Sequence, residues 1–166
     1  MCSSDLGVFA RAISQKNTKR TLLAIDIRKS VITLLEDRAK AEGLSNLVAI
    51  HASAERCLED LIKDEQLANV YVFHPDPWFK KRHHKRRVIN ESSLRLLYRK
   101  LKKGGRLYIS TDVQLLWNEM ALSIQHVDGF HAVNDDAFWE TYYTTHWDRF
   151  SEQDGRVSYR GVFEKV

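Results

Sequence analysis

A proline-bounded acid after a short apolar run is the feature that most constrains this sequence. Residues 70–73 are apolar or aromatic, which is typical of a buried strand, and Pro75 and Pro77 are the only prolines of the chain. Each proline fixes its own φ, and Pro77 also disfavours the helical region for the residue before it. The strand therefore has to end here and hold Asp76 at its carboxyl end, the edge where open α/β sheets bind ligands.

A dense cationic run follows this turn. Residues 80–87 contain six Lys or Arg, two His and no acid. The whole chain carries 26 basic and 22 acidic side chains, and without this run the balance is 20 to 22, so the basic excess is local. Clustered charge of this kind is typical of phosphate binding. A solvated charged loop is the alternative.

The rest of the chain alternates apolar strands with amphipathic helices. Residues 20–27 predict a strand with Asp26 near its end, Ser30 is the predicted N-cap of the next helix, and Gly43 ends that helix. Further strands are predicted at residues 47–50, 106–110, 130–133 and 157–163. This alternation predicts a single three-layer α/β domain over residues 1–166, with a mostly parallel sheet and an antiparallel C-terminal edge.

Asp112 follows the strand predicted at 106–110 directly. It is a third acid at a strand end and could also be, or only be, the N-cap of the following helix, since the two roles are compatible. The helix before this strand is predicted to end in the basic and glycine residues 102–105. Cys2 and Cys57 have no metal-binding spacing, so we predict no metal site and a reduced, cytoplasmic setting. No apolar run approaches the length of a membrane span.

The proline motif resembles the signature of the bacterial tRNA (guanine-N7)-methyltransferases. Residues 73–87 match the pattern Phe-Pro-Asp-Pro-Trp-x-Lys-x-Arg-His-x-Lys-Arg-Arg at nearly every fixed position, with His74 in place of an aromatic. The resemblance extends from about Gly7 to the C-terminus. It implies a Rossmann-like class I S-adenosylmethionine methyltransferase fold and methyl transfer from S-adenosylmethionine to N7 of a variable-loop guanine in tRNA. It also implies a cytoplasmic monomer or homodimer without an obligate protein partner.

The resemblance assigns roles to individual residues. Asp76 would be the catalytic residue. The cofactor-binding residues would be Gly7, Asp26, Ser53, Ala54 and Asp76, with Ser53 standing where the family usually has Asp. The substrate-binding residues would be Lys80, Asp112, Thr145, His146, Trp147 and Asp148, the last four resembling a Thr-Lys-Phe-Glu motif. The tRNA phosphates would be bound by Arg82, His83, Lys85, Arg86 and Arg87.

The same resemblance predicts that a first strand and most of a glycine-rich nucleotide loop are missing, since no strand precedes Gly7. Residues 1–6 are then expected to be non-native, because they match the translation of a sequencing adapter, with a disordered natural N-terminus as the alternative. A chain of this kind could be inactive. Two other functions stay open at this point: a tRNA-binding paralogue without methyl transfer, and a Rossmann methyltransferase for another acidic substrate.

Overall fold

The computed structural model describes residues 7–78, 87–143 and 154–166. No helix within these ranges is long and apolar enough to cross a membrane. The helices are α1 (Val8–Lys16), α2 (Lys29–Ala41), α3 (Ala54–Leu61), α4 (Glu91–Lys100), α5 (Gln114–Gln125) and α6 (Asp136–Thr141). The strands are β1 (Leu22–Asp26), β2 (Leu47–His51), β3 (Leu67–Phe73), β4 (Leu101–Thr111), β5 (Phe130–Val133) and β6 (Tyr159–Lys165).

The strands form two hydrogen-bonded groups. β1 pairs with β2 in parallel, and the other four strands follow the order β3-β4-β6-β5. β3 and β4 are parallel, whereas β6 is antiparallel to both of its neighbours. The described pairings are therefore mixed. The C-terminal strand is antiparallel, as predicted, but it is not itself the edge strand, because β6 lies between β4 and β5 and the described edge strand on that side is β5.

Helices cover both faces of the strands, as the alternation predicts. Along β4, Leu107 and Ile109 belong to a core shared with α3, α4 and α5. Tyr108 between them belongs to a second core shared with α1 and α6. Because successive side chains of a strand point to opposite faces, this alternation places one helix layer on each side. The three-layer arrangement is confirmed.

Both groups of strands share these helix layers. On one face, Phe9 of α1 packs edge-on against Phe73 of β3 with ring centroids 4.8 Å apart. Ala10, next along the same helix, shares a core cluster with Ala24 of β1. On the other face, Leu23 of β1 packs against the core that contains α3, α4 and α5. β1 and β3 are thus covered by the same helices although they lie in separate hydrogen-bonded groups.

Two predicted helix ends differ from the structure. α2 begins at Lys29 with Arg28 as its N-cap, so Ser30 lies inside the first turn and is not the cap. α4 ends at Lys100, and residues 102–105 belong to β4 instead of a last helical turn. The reason is that Leu101 is fully buried and already pairs with β3. Gly43 ends α2 as predicted, with a left-handed φ of 67°.

Gly129, in the turn before β5, packs against a fixed tyrosine. Its φ is 98°, and an added Cβ would lie 2.4 Å from the Tyr98 hydroxyl oxygen. The Tyr98 ring packs edge-on against Phe130, lies 4.7 Å from the Lys165 ammonium, and donates its hydroxyl proton to the Val166 carbonyl at 3.2 Å. The ring cannot move aside without breaking these interactions.

We predict that Gly129→Ala lowers the free energy of unfolding by about 2–5 kcal/mol, from left-handed strain of about 1–2 kcal/mol and overpacking of about 1–3 kcal/mol. Gly43→Ala is the matched control, since Gly43 has a left-handed φ but nothing within 4 Å of an added Cβ. It should show only the strain component, about 1–2 kcal/mol. Urea unfolding of both variants measures the difference, and equal decreases would contradict the packing explanation.

Candidate functional site

The chain turns sharply where β3 ends. His74 has a φ of 45°, and its backbone N–H donates to the Ser110 carbonyl at 2.8 Å, which extends the β3–β4 ladder by one bond. A left-handed φ is unfavourable for a residue with a Cβ, so surrounding contacts must hold it. Asp76 is exposed and lies between a buried Pro75 and a half-buried Pro77. The turn presents one carboxylate to solvent at a strand's carboxyl end, as the two prolines predict.

The His74 side chain is buried at the end of the sheet and lies among three polar side chains. Its Nε2 lies 3.2 Å from the Tyr143 hydroxyl, which lies 2.6 Å from the Ser110 hydroxyl. Its Nδ1 lies 3.6 Å from Asp112 Oδ1. Sequence reasoning missed His74 and Tyr143 as site residues. They are 69 positions apart, and no local pattern indicates that the fold brings them together.

Asp112 lies just beyond the carboxyl end of β4 with its side chain only 6% exposed. Besides facing His74, it accepts a hydrogen bond at Oδ2 from Arg156 Nη1 at 3.0 Å. The alternative that Asp112 caps α5 is wrong, because Val113 is the N-cap and its N–H donates to Thr111 Oγ1 at 3.2 Å. The carboxylate is therefore engaged by a cation and faces a histidine at the strand end, and it does not hold the helix.

Asp26 ends β1 as a buried carboxylate that Arg28 holds. Its Oδ1 accepts from the Arg28 backbone N–H at 2.8 Å and from Nε at 3.0 Å, and its Oδ2 accepts from Nη2 at 2.7 Å. Burial raises the pKa of Asp26, but the Arg28 hydrogen bonds and charge outweigh burial and leave the pKa below its ordinary value. Because a carboxylate has about four acceptor positions, another donor can use the remaining one.

The loops that follow β1 and β2 are joined to each other. His51 Nε2 lies 2.9 Å from the Ile27 carbonyl, and the Ala52 N–H donates to the Asp26 carbonyl at 3.2 Å. The Ile27 side chain is 68% exposed. An apolar side chain and a held carboxylate thus lie side by side at the carboxyl end of the β1–β2 pair.

Three residues that are predicted to bind the cofactor, Ser53, Ala54 and Gly7, lie at the starts of helices. Ser53 is the N-cap of α3, its hydroxyl accepts the Arg56 N–H at 3.3 Å, and Ala54 is the first helical residue. Gly7 precedes α1 with a φ of 73°, and a Cβ there would lie 2.4 Å from a Leu35 methyl group. The fold therefore requires glycine at this position whatever it binds. Contact of these residues with a cofactor stays a prediction.

Arg87 is the predicted phosphate-binding residue that the structure describes. Its side chain is only 9% exposed, its Nε donates to the Pro77 carbonyl at 2.9 Å, and its Nη1 pairs with Glu119 of α5. The Arg87 guanidinium is directed toward the protein and not toward solvent. The other predicted phosphate contacts and five predicted substrate contacts lie outside the described residues; they are Arg82, His83, Lys85, Arg86, Lys80, Thr145, His146, Trp147 and Asp148.

Comparison with known proteins decides the family. A family model described as "Putative methyltransferase" matches residues 3–163. The chain belongs to this methyltransferase family. It is 42% identical over 114 residues to a tRNA (guanine-N(7)-)-methyltransferase of Nitrosococcus oceani, and 36% identical over 124 residues to one of Nitrosomonas eutropha. These alignments cover 69% and 75% of this chain but 47% and 54% of the relatives, so the chain spans about half their length.

Solved structures show the fold of this methyltransferase-family chain. The 16S rRNA methyltransferase KamB has a TM-score of 0.69 at 16% identity, covering 98% of this chain and 85% of its own. TrmN from Thermus thermophilus has a TM-score of 0.65 at 19% identity, covering 98% of this chain and 42% of its own. A SAM-dependent methyltransferase from Aquifex aeolicus has a TM-score of 0.65 at 11% identity, covering 98% and 79%. The predicted methyltransferase fold is confirmed.

We predict that Arg28→Ala raises the pKa of Asp26. The variant removes the guanidinium, which lowers the pKa, and keeps both the burial, which raises it, and the backbone N–H bond at position 28. In the unchanged chain the lowered pKa stabilises the fold above about pH 3.9, and this contribution is lost as the pH falls through the folded-state pKa. NMR titration of the Asp26 carboxyl carbon measures the shift.

Arg95→Ala is the control for this titration. Arg95 is an exposed arginine of α4 that pairs with Glu91, so its removal takes away the same charge at a different place. It should leave the Asp26 titration unchanged. An Asp26 pKa that stays low in Arg28→Ala would contradict the assignment of Arg28 as its partner.

Proposed function

We propose that the full-length gene product is a tRNA (guanine-N7)-methyltransferase, which transfers a methyl group from S-adenosylmethionine to N7 of a variable-loop guanine. The observation that carries the proposal is the 42% identity to the Nitrosococcus oceani tRNA (guanine-N(7)-)-methyltransferase. The exposed acid at the end of β3, followed by the cationic run 80–87, supports it, since tRNA is a polyanion. The proposed location is the cytoplasm, and the proposed assembly is a monomer or homodimer.

The carboxyl end of the β1–β2 pair suits the nucleoside part of S-adenosylmethionine. Asp26 has an acceptor position for a ribose hydroxyl beside those that Arg28 uses. The exposed Ile27 offers an apolar surface for the adenine ring. Ser53 can make a further hydrogen bond besides its capping bond. When bound, the cofactor supplies a methyl group on a sulfonium that is already activated.

At the carboxyl ends of β3 and β4, the proposed reaction needs alignment more than proton transfer. Guanine N7 has a lone pair and no proton to lose, so the methyl group can pass from sulfur to nitrogen without a general base. Asp76 would accept hydrogen bonds from the N–H edge of the guanine. Asp112, held by Arg156, would bind the same nucleoside from the neighbouring strand end. The rate gain then comes from the geometry of the reacting atoms.

The division of the strands into two groups supports a further strand between β1 and β3. Among the described residues, each of these strands is hydrogen-bonded on one side only. The same helix layers nevertheless cover both strands, through Phe9 and Ala10 on one face and Leu23 on the other. Backbone groups inside a covered sheet need partners, and one more strand would supply them. We infer that natural sequence before Gly7 provides this strand and the glycine-rich loop after it.

Cofactor titration tests whether the sequence before Gly7 supplies this strand. A form of the protein with the natural sequence before Gly7 should bind S-adenosylmethionine at least about tenfold more tightly than the 166-residue chain. The reason is that the backbone approaching the cofactor would be complete only in the longer form. Isothermal titration calorimetry measures both affinities, and equal values would contradict the proposed strand.

Nucleoside mass spectrometry tests the proposed function itself. Unmodified tRNA incubated with the full-length gene product and S-adenosylmethionine should yield 7-methylguanosine, and the same mixture without the methyl donor should not. Tight tRNA binding without a methylated nucleoside would show a binding-only protein and overturn the proposal. Consumption of S-adenosylmethionine without any methylated tRNA would show that the enzyme methylates another substrate.

We predict that Asp76→Asn lowers the rate of 7-methylguanosine formation at least about tenfold, equivalent to about 1.4 kcal/mol. The amide keeps the shape of the Pro-Asp-Pro turn, but a neutral hydrogen bond is about half as strong as a charged one. Asp76→Ala should lower the rate further. Stability should change little, because Asp76 is exposed.

Asp37→Asn is the control for Asp76→Asn, since Asp37 is an exposed acid on α2 away from the strand ends. It should keep full activity. Full activity in a folded Asp76→Ala protein would exclude Asp76 from the mechanism. Unfolding of Asp76→Asn would show that the residue serves the turn and not the reaction.

A further inference from the structure

Arg87 ends the cationic run, yet its guanidinium is directed into the protein. Its Nε donates to the Pro77 carbonyl at 2.9 Å, and its Nη1 pairs with the Glu119 carboxylate on α5. The Arg87 side chain is 9% exposed, whereas Arg95, an exposed arginine of α4, is 60% exposed. Phosphate-binding arginines present their guanidinium to the ligand, whereas the Arg87 guanidinium already binds two partners within the protein.

The backbone of Arg87 is fixed as well. Its carbonyl accepts a hydrogen bond from the Asn90 side-chain amide at 2.9 Å. Asn90 is the N-cap of α4 and forms a reciprocal capping box with Ser93, in which both hydrogen bonds are 3.0 Å long. One residue therefore connects the proline turn through its Nε, α5 through its Nη1 and the start of α4 through its carbonyl.

This connection bears on Asp76 because Pro77 is the next residue. A proline restricts its own backbone and that of the preceding residue, so holding the Pro77 carbonyl fixes the backbone from which the Asp76 carboxylate projects. Moving the Arg87 guanidinium to a phosphate would leave the partly buried Glu119 carboxylate without this cation and the carbonyl without this donor, which is unfavourable. A guanidinium can serve both partners at once through its planar fork of donors, and an ammonium cannot match that geometry.

We propose that Arg87 is a positioning residue that holds the Pro75-Asp76-Pro77 turn in its reactive orientation, and that it is not a ligand of tRNA phosphate. The inference rests on the proposed function for its catalytic consequence. Its structural part, the coupling of Arg87 to the turn and to Glu119, stands on the described contacts.

Kinetics and salt dependence of tRNA binding separate the two roles. In the full-length gene product, Arg87→Ala should lower kcat for tRNA methylation at least about tenfold and leave the slope of log Kd against log salt unchanged. Lys85→Ala with Arg86→Ala should instead reduce that slope by about 0.7–0.9 for each phosphate that the protein no longer neutralises. Arg87→Lys should restore less than half of the missing kcat, because it keeps the charge but not the fork.

Glu119→Gln should also lower kcat. The kcat of the double variant should be only slightly below that of Arg87→Ala alone, because both substitutions act through one interaction. Arg95→Ala, which removes an exposed arginine, should change neither kcat nor the salt slope. A reduced salt slope with unchanged kcat in Arg87→Ala would show a phosphate ligand and overturn the proposal. Full rescue by Arg87→Lys would also overturn the role of the fork.

A measurement without tRNA keeps this inference separate from the proposed function. Trp78 follows Pro77 directly, so its indole N–H resonance reports on the turn. Arg87→Ala and Glu119→Gln should both shift this resonance, and Arg95→Ala should not. If the unchanged protein methylates no tRNA, the proposed function fails while this shift still tests the coupling. An unshifted Trp78 resonance in a folded Arg87→Ala protein would overturn the inference.

Discussion

The parallel register of β3 and β4 is the constraint on which the candidate site depends. The two strands pair up to Phe73 and Ser110, and the hydrogen bond from the His74 N–H to the Ser110 carbonyl continues the ladder past the strand end. Because parallel strands end at the same edge, this register makes the proline turn and Asp112 neighbours. The buried His74 ring lies between them, with its backbone in the turn and Nδ1 3.6 Å from the Asp112 carboxylate.

The acids at the strand ends are held in different ways. Asp26 and Asp112 have nearly buried side chains, and each is hydrogen-bonded to an arginine. Asp76 is exposed, and the two flanking prolines constrain the backbone that carries it. A buried carboxylate needs a cation or several donors to stay charged, whereas a solvent-facing one does not. Asp76 is therefore the most solvent-exposed of these three acids.

The parts of the fold that depend on local chemistry could be predicted from the sequence. Pro75 and Pro77 end β3, and Gly43 ends α2, because allowed backbone conformations decide both. The start of β4 could not be predicted, since the burial of Leu101 outweighs the glycine and lysine signals after it. Ser30 has the right chemistry for an N-cap, but the observed N-cap is Arg28, two residues earlier.

The candidate site also has features that could be predicted from the sequence and features that could not. The acids themselves follow apolar runs, so their places at strand ends were visible in the sequence. The contacts of His74 and Arg87 near these acids were not visible, because the fold brings Tyr143 to His74 and Glu119 to Arg87 from 69 and 32 positions away. A cationic residue within a basic run indicates a solvent-facing side chain by composition. Only the contacts of Arg87 with the Pro77 carbonyl and with Glu119 show that its side chain is directed inward.

We divide the proposed site between two pairs of strand ends: the carboxyl ends of β1 and β2 bind the cofactor, and those of β3 and β4 bind the substrate nucleoside. Calorimetric titration of S-adenosylmethionine into the full-length gene product carrying Asp26→Asn or Asp112→Asn tests it most directly. We expect Asp26→Asn to weaken cofactor binding at least about tenfold, and Asp112→Asn to change it by less than about twofold. Equal decreases in affinity in the two variants, or a decrease confined to Asp112→Asn, would contradict this division.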